Sequence, residues 1–353
     1  MKLILLTMKV YKRYNMNRLL ILLIIGFLGA SCSKKQNEPQ VFVGEALGTT
    51  YQVKFFYKSE LPIQKGLDSI FEVINRSMST YQQDSDISKI NKGDTTITVD
   101  NNFREVFTTS DKIYSESKGF FDPTVGNLVN AYGFGPERRE DSLNARVIDS
   151  MLQYVGFNKI KISSDNKIIK ELPGIYLDFN AIAKGFTVNV IAEFLNSNGV
   201  NNYLVEVGGE LVAKGTNLMT EGPWVVAIDD PIQTDGNRVF KATLFLKNRG
   251  MATSGNYRKY RLDSLTGQRF VHTINPITGK SEKSNLLSAS VLAKNCTLAD
   301  GYATAFMALG LERSQEMLSR IEDVEVYFIY AEENEEVKVF STPGFSEVLR
   351  QDK

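Results

Sequence analysis

Five short segments combine glycine, small polar and ionisable residues in otherwise apolar surroundings. Asp300-Gly301-Tyr302-Ala303-Thr304 sets a carboxylate and a hydroxyl four residues apart, on one face of a helix. Two hard oxygens one turn apart suit Mg²⁺, which takes a few protein oxygens and keeps places for water or phosphate. Thr297 and Asp300 also have the spacing of a capping box, in which Asp300 would only satisfy the helix start. Asp178-Phe179-Asn180-Ala181-Ile182-Ala183-Lys184-Gly185 reads as strand end, turn and helix start. Free amides and a lysine at a helix N-terminus can hold an anion. The competing reading has Asp178 and Asn180 capping the helix and Lys184 solvated.

Gly208-Gly209-Glu210 follows a strand, where paired glycines permit close approach to a ligand or simply a tight turn. Met251 to Arg258 reads as a turn offering hydroxyls and a guanidinium. His272, the only histidine, precedes the Pro276 to Gly279 turn and is either a general base or a structural residue. There is no G-x-x-x-x-G-K-[ST] loop, no G-x-G-x-x-G after a strand and no G-x-S-x-G elbow. The usual nucleotide fingerprints and a serine hydrolase are thereby excluded.

The elements that must hold these segments can be read from periodicity. Tyr51, Val53, Phe55 and Tyr57 alternate as one strand face, and Ile63, Leu67, Ile70, Ile74 and Met78 recur at helical steps. A helix is expected over Asn102 to Lys118, with Gly119 after it, and another through Val147, Met151, Leu152 and Val155, ended by Gly156. Lys159 to Ser163 and Lys167 to Glu171 flank Asp165-Asn166 as a hairpin. Further strands are expected at Ile175 to Asp178, Tyr203 to Val207, Trp224 to Ile228, Phe240 to Leu246, Ser288 to Leu292 and Val324 to Tyr330. Helices are expected at Ala183 to Leu195 and Thr297 to Leu309. Helices and hairpins do not alternate strictly, so the fold class is α+β, with mixed helices and largely antiparallel sheets.

The 353 residues hold 41 Lys+Arg, 41 Asp+Glu, one His and two Cys, and 42% are hydrophobic, enough for a large core. The first 31 residues carry five cations and no acids, so the remainder has 36 basic against 41 acidic residues. No basic run interleaved with aromatics remains, which argues against a nucleic-acid partner. Leu19 to Leu28 is too short to span a bilayer but fits a signal-peptide core. With Leu28-Gly29-Ala30-Ser31-Cys32 it resembles a bacterial lipoprotein signal, in which Cys32 is lipidated; an ordinary cleaved signal is the alternative. The expected organisation is a signal peptide over 1–31, a lipidated Cys and polar tether over 32–40, and one domain over 41–348. The expected location is the bacterial cell membrane, lipid-anchored and facing the periplasm or extracytoplasmic side.

The order of these motifs resembles the FAD:protein FMN transferase, or ApbE, family over nearly all of the chain beyond the leader. The resemblance rests on Leu47-Gly48-Thr49-Thr50-Tyr51, Met78-Ser79-Thr80-Tyr81, Asp86-Ile87-Ser88 with Asn91, and Gly119 to Asn130 running into Gly133-Phe134-Gly135-Pro136. Asp178 to Gly185, Val205 to Glu210, Ser254 to Arg258, His272 to Gly279 and Ala299 to Thr304 complete it. It implies an ApbE-like α+β fold with FAD in a cleft between two lobes. It also implies a Mg²⁺-dependent enzyme that passes FMN from FAD to a threonine hydroxyl of an acceptor flavoprotein through a phosphoester, releasing AMP. By resemblance, Asp300, Thr304 and the Ala181 carbonyl match metal ligands, and His272 matches the general base. Leu47, Tyr81, Phe120, Phe121, Asp122, Asp178, Lys184 and Ile274 match FAD contacts, and membrane respiratory flavoproteins are the implied acceptors. Asn275 departs from the Asp common after the histidine, and Ala181 stands where Gly, Ser or Thr also occurs. An FAD pyrophosphatase and a non-catalytic flavin-binding lipoprotein are the alternatives.

Overall fold

Tyr51, Val53 and Phe55, one face of the expected first strand, are all buried at 4% exposure or less, and the strand they form sits inside a large sheet. The computed structural model describes residues 38–59, 61–137, 143–233, 238–255, 260–262, 269–271, 273–281, 284–334 and 336–351. Its strands are β1 (Gln40–Ala46), β2 (Thr49–Phe55), β3 (Ile160–Ile162), β4 (Ile168–Lys170), β5 (Tyr203–Val207), β6 (Glu210–Lys214) and β7 (Trp224–Asp229). They continue with β8 (Phe240–Leu246), β9 (Arg249–Gly255), β10 (Tyr260–Leu262), β11 (Arg269–Val271), β12 (Leu286–Ala293), β13 (Glu325–Ala331) and β14 (Val337–Ser341). The helices are α1 (Ile63–Met78), α2 (Asp86–Asn91), α3 (Asn101–Glu116), α4 (Gly126–Ala131) and α5 (Ala145–Leu152). They are followed by α6 (Ala183–Ser197), α7 (Cys296–Leu309), α8 (Leu311–Leu318) and α9 (Pro343–Ser346).

Eight strands form one sheet in the order β1-β2-β5-β6-β9-β12-β13-β14, with every neighbouring pair antiparallel. The fold is α+β. Alternation along β13 shows how the layers are made: Val326 and Phe328 face a core shared with α3, α6 and α7. Tyr327 and Ile329 face the opposite core, built with the β7–β8 hairpin and Phe345 of α9. A third cluster packs α1 and α6 over β2 and β5. Burying both faces of a strand in this way needs near-continuous apolar sequence, which β12 and β13 supply.

Three expectations are corrected here. Ile175 to Asp178 is extended but joins no sheet, making only an isolated bridge between Tyr176 and Val125. Its polar backbone is met by a side chain instead: Asn91 Nδ2 donates to the Leu177 carbonyl and Asn91 Oδ1 accepts the Leu177 amide, both at 2.8 Å. Met251 to Gly255 is not a turn but lies in β9, between β6 and β12, while 256–259 fall outside the described residues. The helix before Gly156 ends earlier than expected, at Leu152, and its one buried residue is Ile148. Strands β1, β6, β9, β10, β11 and β14 are not among those expected from the sequence. Among the described residues no helix is long and apolar enough to cross a membrane.

Candidate active site

The start of α7 is wedged between two glycines. A Cβ on Gly185 of α6 would stand 2.3 Å from the Cys296 carbonyl oxygen, and one on Gly250 of β9 would stand 2.3 Å from the Cys296 amide. Only residues without a side chain let α6, α7 and β9 come this close. The amides of the first turn of α7 are met by asparagines: Asn295 is the N-cap and accepts from Leu298, and Asn189 of α6 accepts from Cys296. Asn189 also donates to Thr297 Oγ1 at 2.7 Å.

That arrangement removes the capping reading of Asp300. The N-cap is Asn295 and not Thr297, so the capping box does not form. Asp300, 2% exposed, instead accepts from the Gly185 amide through Oδ2 at 2.9 Å. One turn along, Thr304 Oγ1 donates to the Ala181 carbonyl at 3.4 Å, so carboxylate, hydroxyl and carbonyl from two elements share one corner. Neither Asp178 nor Asn180 caps α6: its N-cap is Ile182, without a side-chain bond, and the Asp178 carboxylate accepts from the Asn180 amide at 2.7 Å.

Lys184 is half-buried and paired. Its Nζ donates to Glu210 Oε1 at 2.7 Å and lies 3.9 Å from Asp300 Oδ1. Glu210 is 4% exposed, and its second oxygen, Oε2, has no hydrogen-bond partner. The β5–β6 turn that presents it is the tight reading of the paired glycines, with Gly208 and Gly209 both at positive φ. Gly208 also serves close approach, since a Cβ there would meet Thr49 and the Lys184 stem. Burial pushes the Asp300 and Glu210 carboxyls up, Glu210 to about 7. Burial works against the Lys184 ammonium as well, but Asp300 and Glu210 outweigh it and hold its pKa above the ordinary lysine value. Two carboxylates face one ammonium, so the cluster has room for another positive charge.

Other expected positions gather around the same corner. Leu47 holds positive φ in the β1–β2 turn, beside Thr49. Asn180 Nδ2 donates to Thr80 Oγ1 at 3.3 Å, next to Tyr81, whose ring is 60% exposed while its hydroxyl donates to the Phe134 carbonyl. The Tyr81 phenol is raised by burial and then by the charge of Asp178. Asp178 is buried, and that burial raises its carboxyl against the Asn180 bonds. Its amide donates to the Pro123 carbonyl, which ties the Phe120 to Asp122 segment to this wall.

Within that segment Phe121 is buried at 2% exposure, so its ring serves the core. The Asp122 carboxylate is also engaged internally: Oδ1 accepts from the amide and hydroxyl of Thr124, and Oδ2 from the Phe157 amide. Phe120 is half-buried under the Arg313 guanidinium, 5.2 Å from its ring centroid. Ile274 is buried in a small cluster with Leu128, Tyr132 and Val155, which Phe134 also joins. Thr273 and Asn275 line a depression of about 140 Å³ with Arg313 and the end of α7. A larger depression, about 310 Å³, lies between the Asp94 loop and the β3–β4 hairpin and holds none of these residues. His272 and Cys32 lie outside the described residues.

Sequence reasoning missed three residues. Glu210 was read only as the end of a turn; Asn91 and Asn189 work on backbone 86 and 107 residues away, where no local pattern reports it. Among the described residues no group of three or more His, Cys, Asp or Glu is placed to hold a metal, so any cation here depends on Asp300 with neutral oxygens.

Comparison with known proteins shows the family and the fold. The family model described as the ApbE family matches residues 47–328. The FAD:protein FMN transferase of Haemophilus influenzae is 35% identical over 320 residues, 87% of this chain and 91% of that protein. That of Vibrio cholerae is 35% identical over 84% of this chain and 89% of its own length. The solved flavin transferase ApbE of Vibrio cholerae superposes with a TM-score of 0.79 at 32% identity, covering 88% of this chain and 99% of that one. The apo form of the Pseudomonas stutzeri flavinyl transferase ApbE gives a TM-score of 0.78 at 29% identity, over 90% and 98%. By sequence and by fold, the chain belongs to the ApbE family.

Proposed function

We propose that this chain is an FAD:protein FMN transferase: it moves the FMN half of FAD onto a threonine hydroxyl of an acceptor flavoprotein and releases AMP. The observation that carries the reading is the corner where the α6 start, bearing Lys184, meets Asp300 and Thr304 across from the Ala181 carbonyl. At the start of α6 the Gly185 amide is taken by Asp300 and the Ala183 amide by the Phe179 carbonyl, so the positive helix end and the Lys184 ammonium are what this corner offers a pyrophosphate. The exposed Tyr81 ring offers a face for an aromatic ring of FAD.

The donors suited to Mg²⁺ are Asp300 Oδ1, Thr304 Oγ1 and the Ala181 carbonyl, all hard oxygens. The surplus carboxylate charge beside Lys184 supports a cation there. When bound, Mg²⁺ supplies neutralisation of charge on pyrophosphate oxygens. By family resemblance His272 takes the proton of the threonine hydroxyl. The threonine oxygen then bonds to the FMN phosphorus as the bond from that phosphorus to the pyrophosphate bridge breaks, and the bridging oxygen leaves with AMP. Residues 1–31 as a lipoprotein signal, Cys32 as the lipidated residue of a 32–40 tether and 41–348 as the transferase domain would hold the enzyme at the extracytoplasmic face of the membrane. Membrane respiratory flavoproteins are the acceptors proposed.

The test incubates the full chain with FAD, Mg²⁺ and a candidate acceptor domain, following AMP and acceptor mass together. AMP with an acceptor heavier by one FMN supports the transferase. AMP with every acceptor offered left unmodified makes it a pyrophosphatase, and bound FAD with no AMP makes it a flavin carrier. His272→Ala should abolish transfer and spare FAD binding.

A further inference from the structure

Lys184 neutralises two carboxylates that hold it unequally. Glu210 Oε1 takes a hydrogen bond at 2.7 Å, whereas Asp300 Oδ1, at 3.9 Å, is beyond hydrogen-bond reach and held by charge alone. The other Asp300 oxygen is committed to the Gly185 amide, so Oδ1 is the oxygen left for a cation. Glu210 keeps Oε2 unpartnered in a side chain only 5% exposed, a costly state for a buried carboxylate oxygen. No other Lys or Arg among the described residues lies within 4 Å of either carboxylate.

We propose that Lys184 is the resident counter-cation of the metal seat, and that Glu210 is the positioning residue onto which the ammonium withdraws when a divalent cation takes Asp300. Two positive charges in one buried corner repel strongly at this range, so cation and ammonium cannot share Asp300. Glu210 provides the alternative, because it already holds the ammonium by its better bond and has a second oxygen to offer. Gly208 leaves the lysine stem its room there, since a Cβ would stand 3.2 Å from Lys184 Cδ. Metal entry is thereby coupled to release of Lys184 from Asp300, in the place where the preceding reading puts the pyrophosphate. The inference rests on that reading for the seat itself.

The test is calorimetric titration of the full chain with Mn²⁺, without FAD or acceptor, so that it reads binding and not turnover. Lys184→Met should bind Mn²⁺ about tenfold more tightly than the wild type, because the competing charge is gone. Glu210→Gln should bind about tenfold more weakly, because the ammonium then has only Asp300. Lys184→Arg, which keeps the charge, should stay near the wild type. The double variant Lys184→Met with Glu210→Gln should behave as Lys184→Met alone, a non-additivity that a structural role for Glu210 does not produce. Unchanged or weaker binding in Lys184→Met, or an equal effect of Glu210→Gln in both backgrounds, overturns the proposal. Asp300→Asn separates the two levels: loss of Mn²⁺ binding there upholds the seat whatever the lysine variants do. Retention at wild-type affinity removes both seat and inference.

Discussion

The Gly185 amide donates to Asp300 Oδ2 at 2.9 Å across a separation of 115 residues, and it joins the N-terminal ends of α6 and α7 into one unit. The bond exists because position 185 has no side chain. With a Cβ, the Cys296 carbonyl oxygen and Asp300 Cβ would be met at 2.3 and 2.6 Å, and neither is the end of a flexible chain. Gly185→Ala should therefore lose about 3 kcal/mol to overpacking, which the gain of roughly 1 kcal/mol in helix propensity does not offset. Urea unfolding checks the stability. Because Asp300 is pushed aside, FMN transfer should fall even at temperatures where the variant stays folded.

Thr304→Val is nearly isosteric and removes only the hydroxyl that meets Ala181 O at 3.4 Å. Its stability should stay within about 1 kcal/mol of the wild type, the worth of an ordinary hydrogen bond. Mn²⁺ affinity should drop about tenfold if that hydroxyl is a ligand, the size of a 1.4 kcal/mol loss. Calorimetry beside a thermal melt distinguishes a lost ligand from a lost fold.

Asn91 serves both polar groups of Leu177, one residue before Asp178. Asn91→Ala leaves that amide and carbonyl buried without partners, at about 1–3 kcal/mol each. Asn91→Asp should retain the bond from the Leu177 amide but set a carboxylate oxygen against the Leu177 carbonyl, and so should also lose stability. As the strap carries Asp178, both variants should raise KM for FAD more than they lower kcat, which steady-state kinetics with a fixed acceptor resolves.

Asp122 gives a pH signature. Burial pushes its carboxyl up to about 6 from 3.8, against the Thr124 and Phe157 bonds that pull it down. The folded state therefore binds the proton more tightly than the unfolded one. The contribution to stability is fully present below about pH 4 and is lost as pH rises through 6, on the order of 3 kcal/mol in all. Asp122→Asn should be less stable at low pH, since its amide faces one of the three donors, and should lack this slope. Denaturation of both proteins between pH 4 and 7 checks it; an equal slope in the variant would show that Asp122 is not its source.

The site was legible where its chemistry is local. Asp300 and Thr304 share a helix face by spacing alone, and the Asp178 to Gly185 segment announces a helix start after extended chain. What spacing left open was which role each residue has. Thr297 and Asp300 fit a capping box until the chain shows Asn295 at the N-cap. Glu210 ends a two-glycine turn in sequence, and only β5–β6 pairing beside α6 makes it the partner of Lys184. The Ile175 to Asp178 segment looked like a strand because it is apolar and extended, yet Asn91 and not a neighbouring strand satisfies Leu177.

The sequence by itself determined the periodic elements, the α+β class and the family, because alternation, helical spacing and motif order are properties of neighbouring residues. Tertiary structure alone decided that Lys184 lies half-buried between two carboxylates, that Asp300 bonds the Gly185 amide and forms no capping box, and that Asp122 and Phe121 turn inward. Those outcomes depend on which distant surfaces meet. Here a glycine on α6 and a glycine on β9 let the start of α7 approach to backbone contact, and that approach puts the carboxylate of one helix against the amide of another.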